Sequence, residues 1–195
     1  MALCSDDGPA RRGDVEEVQR LLATDLEASA APLRRRAVHQ AALGNHCAVL
    51  QLLHEAKADL TARDACDLTA VHLAADCGHV EAVRFLAVAA PRALLAPDGA
   101  GATALHRAAA RGHVNVLELL QELGVDPLAP AANGKTAVHF AAQAGQREVL
   151  AFFPPSCSLK LVHLTESILR GEKLVKPVFA EEAPHRTWLD LPAES

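Results

Sequence analysis

The sequence predicts an all-α protein in which about five helix–turn–helix units stack into an α-solenoid. A motif of the form Thr-Ala-x-His occurs three times, beginning at Thr69, Thr103 and Thr136. If a weaker copy around His39 is included, the motif histidine recurs at intervals of 33 or 34 residues. Such a period is typical of stacked supersecondary units, none of which can bury its apolar face alone.

Each repeat contains the signals for a first helix. The threonine suits the N-cap, where its hydroxyl can accept a hydrogen bond from the first turn. Small apolar residues follow at helical spacing, as in Leu105, Ala108 and Ala109, and so lie on one face. A glycine then ends the helix, because glycine adopts the left-handed conformation without strain. These glycines are Gly78, Gly112 and Gly145, with Asn45 in the weaker copy.

A second apolar helix and a turn complete each unit. Val114, Leu117 and Leu120 illustrate the helical spacing of the second helix. Asp98-Gly and Asn133-Gly then stand between units, and such dipeptides favour tight hairpins. We therefore expect β-hairpin-like connections between helix pairs.

On these motifs the chain resembles the ankyrin-repeat family, whose signature is Thr-Pro-Leu-His-x-Ala. Alanine replaces the family's proline, which removes some preorganisation of the helix start but nothing obligatory. The resemblance implies that each signature histidine hydrogen-bonds its threonine and the neighbouring repeat. The structural signature residues are Thr69, His72, Gly78, Thr103, His106, Gly112, Thr136, His139 and Gly145.

The repeats suggest a division of the chain. We expect a flexible N-terminus at 1–9, a repeat domain at 10–153 and a C-terminal tail at 154–195. The units fall at about 10–33, 34–66, 67–100, 101–133 and 134–153. The first unit is degenerate, because Pro9 allows only a short first helix. In the second unit Arg34–Arg36 form a solvated connection, and Arg36 occupies the cap position. In the partly ordered tail a short helix spans about 158–170, before extended or disordered chain.

The composition narrows the kinds of partner and the cellular compartments that we expect for this chain. The net charge is −5 and no long basic cluster occurs, which argues against nucleic-acid binding. Five scattered cysteines favour a reducing compartment. With no signal-peptide pattern and no apolar run of membrane-spanning length, we expect an intracellular monomer, cytoplasmic or nuclear, that does not bind membranes.

We predict neither enzymatic activity nor a bound cofactor or metal. The ten histidines are spaced by the repeat and not in the close pairs of a zinc site. Gly99-Ala-Gly101 lacks the rest of a phosphate-binding loop, and no Gly-x-Ser-x-Gly elbow is present.

The resemblance implies a protein-binding scaffold. In the family, partners bind the concave face formed by the first helices and the loop tips. On the first helices the candidates are Leu73, Asp76, Arg107, Arg111, Phe140 and Gln143. At the loop tips they are Arg63, Asp64, Asp98, Asn133 and Lys135. Alternatively, Leu73 and Phe140 are partly covered helix positions and the two arginines are a solvated face.

Two more specific functions remain open. Ser158-Leu-Lys-Leu-Val-His163, followed by Leu191-Pro192, loosely resembles the box of ankyrin-type ubiquitin-ligase adaptors, although His163 replaces a cysteine. The other is a nuclear regulator of a transcription factor, which only Arg34–Arg36 would support as a localisation signal.

Overall fold

The computed structural model describes residues 8–24 and 31–153, and these residues form eleven helices and no strand. The helices are α1 (Pro9–Arg12), α2 (Val15–Thr24), α3 (Ala31–Leu43), α4 (Cys47–Glu55), α5 (Ala70–Asp76), α6 (Val80–Ala89), α7 (Pro91–Leu94), α8 (Ala104–Arg111), α9 (Val114–Glu122), α10 (Ala137–Ala144) and α11 (Arg147–Phe152). They stack as the predicted all-α solenoid.

The helices form two layers. In one layer α1, α3, α5, α8 and α10 each contact the next, and in the other α2, α4, α6, α9 and α11 do the same. The first layer makes the more extensive contacts, because fully buried alanines such as Ala74, Ala75, Ala108 and Ala109 let its helices approach closely. We call the outer side of this layer, with the loops that precede α5, α8 and α10, the first-helix face.

The signature histidines bond to the caps of their own helices and to carbonyl groups further along the chain. His72 Nδ1 accepts a hydrogen bond from the Thr69 backbone N–H at 3.2 Å, and its Nε2 lies 3.2 Å from the carbonyl oxygen of Ala102. Because a backbone N–H can only donate, the imidazole is neutral and carries its proton on Nε2. His106 repeats the cap with Thr103, and its Nε2 lies 3.1 Å from the oxygen of Ala129, in the loop that leads to the next unit. The neighbouring-repeat bond implied by the resemblance is thus present at His72, whereas the His106 bond reaches the end of its own unit.

A second series of side chains joins each unit to the one before it. His79 Nε2 lies 3.0 Å from the Leu43 carbonyl oxygen, and His113 Nε2 lies 3.0 Å from that of Asp76. In the last unit the Gln146 amide donates to the Ala110 carbonyl at 3.1 Å. These side chains satisfy carbonyls at helix ends that have no partner inside their own helix.

The glycines at the helix ends leave room for these side chains. Gly78 has a φ of +77°, and a methyl group on its Cα would lie 2.7 Å from Nδ1 of His113. Gly112 and Gly145 are left-handed C-caps of α8 and α10, with φ of 88° and 71°. Asn45 takes the same conformation at φ 58°, as predicted from its place in the weaker copy.

The connections are hairpin-like turns, as expected; in one, Asp98 N–H donates to the Ala102 oxygen and Gly101 N–H donates to the Asp98 oxygen, both at 2.8 Å. The structure differs from the sequence-based expectation at two places. Helix α3 begins at Ala31, so Arg34–Arg36 lie within it and Arg36 does not occupy a cap. The third unit also contains a short helix that the sequence did not predict, α7, which starts at Pro91.

Several predictions concern residues that the structure does not describe. They are the N-terminal segment up to residue 7, the tail at 154–195 with its helix at 158–170, and the adaptor-like box. The unit boundaries also remain predictions, because helix positions do not define where one unit gives way to the next.

Candidate protein-binding face

The first-helix face brings together four of the candidate residues. Asp76 at the end of α5 lies beside Arg107 and Arg111 of α8, and Asp98 lies beneath Arg107. Helix α8 positions both arginines on one side, because residues four apart lie one above the other. We call these four residues the charged cluster.

Arg107 is anchored to the loop that precedes its own helix. Its Nε and Nη2 donate to Oδ2 of Asp98 at 2.9 and 2.7 Å. The other oxygen of Asp98 accepts from the backbone N–H groups of Ala100 and Ala102, both at 2.9 Å. Asp98 therefore fixes both the loop and the arginine.

Asp98, expected at an exposed loop tip, is buried, and its side chain is only 1% exposed. Burial by itself would raise the pKa of Asp98, but the hydrogen bonds from Arg107 and from the two N–H groups together hold it below the ordinary value. Asp98 therefore acts as a supporting residue of this face and offers no free carboxylate to a partner.

Asp76 links the two helices across the unit boundary. Arg111 donates to both of its carboxylate oxygens, Nε to Oδ1 at 3.0 Å and Nη2 to Oδ2 at 3.0 Å. Arg107 Nη1 lies 3.8 Å from Oδ1 of the same carboxylate. The Arg111 side chain is 60% exposed, so it is the most accessible member of the cluster.

The candidates on α10 and in its preceding loop lie further along the face. Phe140 is half-buried, with its ring edge-on to His106 at a centroid distance of 5.1 Å. Gln143 and Asn133 are exposed, and the Asn133 side chain accepts from the Lys135 backbone N–H at 3.0 Å. Phe140 is partly a packing residue, as the alternative reading of the sequence suggested, whereas Gln143 is an accessible one.

A groove lies at the other end of the face, between α3 and α5. It encloses about 490 Å³. From α3 it is lined by Arg35, Arg36, His39, Gln40 and Leu43, from the following loop by Arg63, Asp64 and Ala65, and from α5 by Leu73. Sequence reasoning placed Arg63, Asp64 and Leu73 on this face but assigned Arg35 and Arg36 to a connection. Pro32 was the available signal, because proline is common in the first turn of a helix. Starting α3 there would have placed Arg35 and Arg36 on the helix.

The buried imidazoles serve as structural hydrogen-bonding groups. Burial lowers the pKa of His72, His106 and His139, so each is neutral at physiological pH. Among residues 8–24 and 31–153, no three His, Cys, Asp or Glu side chains are placed to share a metal ion.

The family model for ankyrin repeats matches this chain in three overlapping copies, at residues 10–93, 38–131 and 90–155. Together the copies cover residues 10–155, well over half of the 195-residue sequence. None of the curated proteins compared with the chain matches it. Because the family model covers more than half of the sequence, the chain belongs to the ankyrin-repeat family.

Proposed function

We propose that the protein is a non-catalytic scaffold that binds a partner protein through the first-helix face. The observation that carries this proposal is the charged cluster, whose geometry is fixed by internal bonds while Arg111 stays largely exposed. A side chain held in one orientation loses less entropy on binding than a mobile one. Arginine is also enriched among the residues that dominate binding energy.

The surroundings of the cluster fit a protein partner. Exposed Gln143 and half-buried Phe140 continue the surface along α10, and Leu73 continues it along α5. The mixture of apolar, amide and charged groups is typical of protein interfaces. The cluster holds two arginines against two aspartates, so it lacks the excess positive charge that nucleic acids require. None of the helices in the described part of the chain could cross a membrane.

The histidines support the non-catalytic part of the proposal. His72 and His106 are fully buried, and both ring nitrogens of each are engaged by neighbouring residues of the fold. A general acid or base needs a ring nitrogen within reach of substrate. These two imidazoles are therefore committed to contacts within the fold.

Photo-cross-linking in cells tests the proposal. A photoreactive amino acid replaces Ala110 or Gln143 on the first-helix face, and in matched controls it replaces Arg84 or Glu118, which are exposed on the second helices α6 and α9. We expect the two first-helix positions to cross-link the same protein and the controls not to. Adducts at the control positions alone would place the binding surface on the other side of the stack.

A further inference from the structure

The groove between α3 and α5 lacks the pairing of arginine with aspartate that occupies the next position along the first-helix face, beside α8. Arg107 lies nine residues after Asp98 and covers that carboxylate. The equivalent residue of the preceding unit, nine residues after Asp64, is Leu73. Leu73 cannot pair with a carboxylate, and with Leu43 and Ala65 it instead forms an apolar floor to the groove.

Two arginines at the rim of the groove, Arg35 and Arg63, differ from the arginines of the charged cluster, which bind carboxylates. Within residues 8–24 and 31–153, the Arg35 side chain has no ion-pair partner. The Arg63 guanidinium donates to two carbonyl oxygens, those of Pro97 at 2.7 Å and Asp67 at 3.2 Å. The carboxylate of the groove, Asp64, accepts from the backbone N–H groups of Cys66 and Leu68, both at 2.8 Å. A complementary occupant would combine apolar side chains with carboxylates.

We propose that the occupant is the chain's own segment 181–192, with Trp188 and its neighbouring leucines over the apolar floor and its carboxylates toward Arg35 and Arg63. The segment contains Glu181, Glu182 and Asp190 but one arginine, Arg186, and places Leu189 and Leu191 beside the tryptophan. The preceding stretch, 154–180, has the opposite balance, with four Lys or Arg against two Glu. Charge thus selects 181–192 from the chain that follows α11.

The connecting chain is long enough for this contact. The stack of described helices ends at Phe153, and the groove lies about three units away along it. Packed helices are separated by about 8–10 Å, so the path is on the order of 30 Å. The 27 residues of 154–180 can span up to about 90 Å when extended. The docked segment would cover one end of the first-helix face, so a partner using that end must displace it.

Tryptophan fluorescence of the full chain tests the contact without any partner, so its outcome is independent of the proposed function. The chain has one tryptophan, Trp188, and no tyrosine, so the emission reports on this segment alone. We expect blue-shifted emission and protection from acrylamide quenching relative to a synthetic peptide of residues 181–195. Arg35→Glu, alone and with Arg63→Glu, should shift both properties to those of the free peptide.

The matched control reverses charge on the other layer, with Arg84→Glu in α6 and Arg147→Glu in α11. Both residues are exposed, and this variant should keep Trp188 protected. Because Arg63 also bonds to Pro97, circular dichroism must show that the double variant stays folded. Arg35→Glu breaks no ion pair within residues 8–24 and 31–153. The proposal is overturned if Trp188 of the wild type is quenched like the free peptide. Protection that survives both groove variants would overturn it equally.

Discussion

At the scale of single residues, hydrogen-bond partners fix the protonation state of the buried histidines. In His72 and His106 Nδ1 accepts from the backbone N–H of the N-cap threonine and Nε2 donates to a carbonyl, so a second proton would bind Nδ1 and break the bond to the cap. His39 is different, because its Nδ1 lies 2.7 Å from the Arg35 oxygen and its Nε2 lies 3.1 Å from the Leu68 oxygen. Two carbonyls therefore face this ring, in place of one carbonyl and one N–H.

The lowered histidine pKa values predict that acid weakens the fold. As pH falls below 6.5, unfolded histidines bind protons while His72, His106 and His139 stay neutral in the folded chain. The free energy of unfolding should therefore fall from pH 6.5 down to the folded pKa values, by at most about 1.4 kcal/mol per pH unit for each histidine. Their contribution should be constant above about pH 7.5.

Urea unfolding at a series of pH values measures this effect. His72→Gln is the informative variant, because glutamine has a similar length and does not titrate in this range. Its slope below pH 6.5 should be shallower than that of the wild type by about one proton. An identical slope in both proteins would show that His72 does not contribute.

Three residues of the described chain other than glycine, Asn45, Lys57 and Asp67, adopt left-handed backbone conformations. At Lys57 and Asn45 we expect opposite responses when glycine replaces them. Lys57 is exposed and has a φ of 57°. Lys57→Gly should raise the free energy of unfolding by about 0.5–1 kcal/mol, because the relief of backbone strain exceeds the added entropy of the unfolded state. Asn45→Gly should be less stable by about 1 kcal/mol, since the Asn45 Oδ1 accepts from the Ala82 N–H at 3.2 Å. Urea unfolding measures both effects. If the midpoints of both variants shift in the same direction from the wild type, this interpretation is contradicted.

At the scale of helices and turns, most boundaries follow from local chemistry. Thr69, Thr103 and Thr136 precede the helices that they were expected to cap, and Gly112 and Gly145 end them. Helix α3 could not be aligned in this way, because the second unit lacks the threonine and the helix extends upstream to Ala31. The pairing of Asp98 with Arg107 was also not predicted, since it joins a turn to a helix. The sequence gives the nine-residue spacing of Asp98 and Arg107, but it does not show how the two side chains are oriented.

The glycine that ends a first helix also affects the contact between units, which a pair of substitutions can separate. Gly78→Ala and Gly145→Ala, at φ of 77° and 71°, should each cost about 1–2 kcal/mol from backbone strain. Gly78→Ala should cost about 1 kcal/mol more, because the methyl group would displace His113 from its bond to the Asp76 carbonyl. At Gly145 no atom of the described chain lies within 4 Å of the added methyl group. Equal losses of unfolding free energy would contradict the role assigned to His113.

At the scale of the whole molecule, the units are joined in both directions along the chain. His72 bonds forward to the next unit, and the residues after the helix-ending glycines bond backward to the preceding one. Stability in such a stack is approximately a sum over units and their interfaces, so no single site organises the fold. Side chains on the first-helix face can then vary without loss of the core beneath them, which suits a family of binding scaffolds.

The most direct test of the proposed function measures affinity for the partner that the cross-linking identifies. Arg111→Ala removes an exposed side chain of the first-helix face, and Arg84→Ala removes a comparable one from the second-helix layer. Arg107 is less suitable, since its removal would uncover the buried Asp98 carboxylate. We predict that Arg111→Ala weakens binding by about 1–2 kcal/mol, or roughly 5- to 30-fold, while Arg84→Ala leaves the dissociation constant unchanged. The opposite pattern would contradict the assignment of binding to the first-helix face.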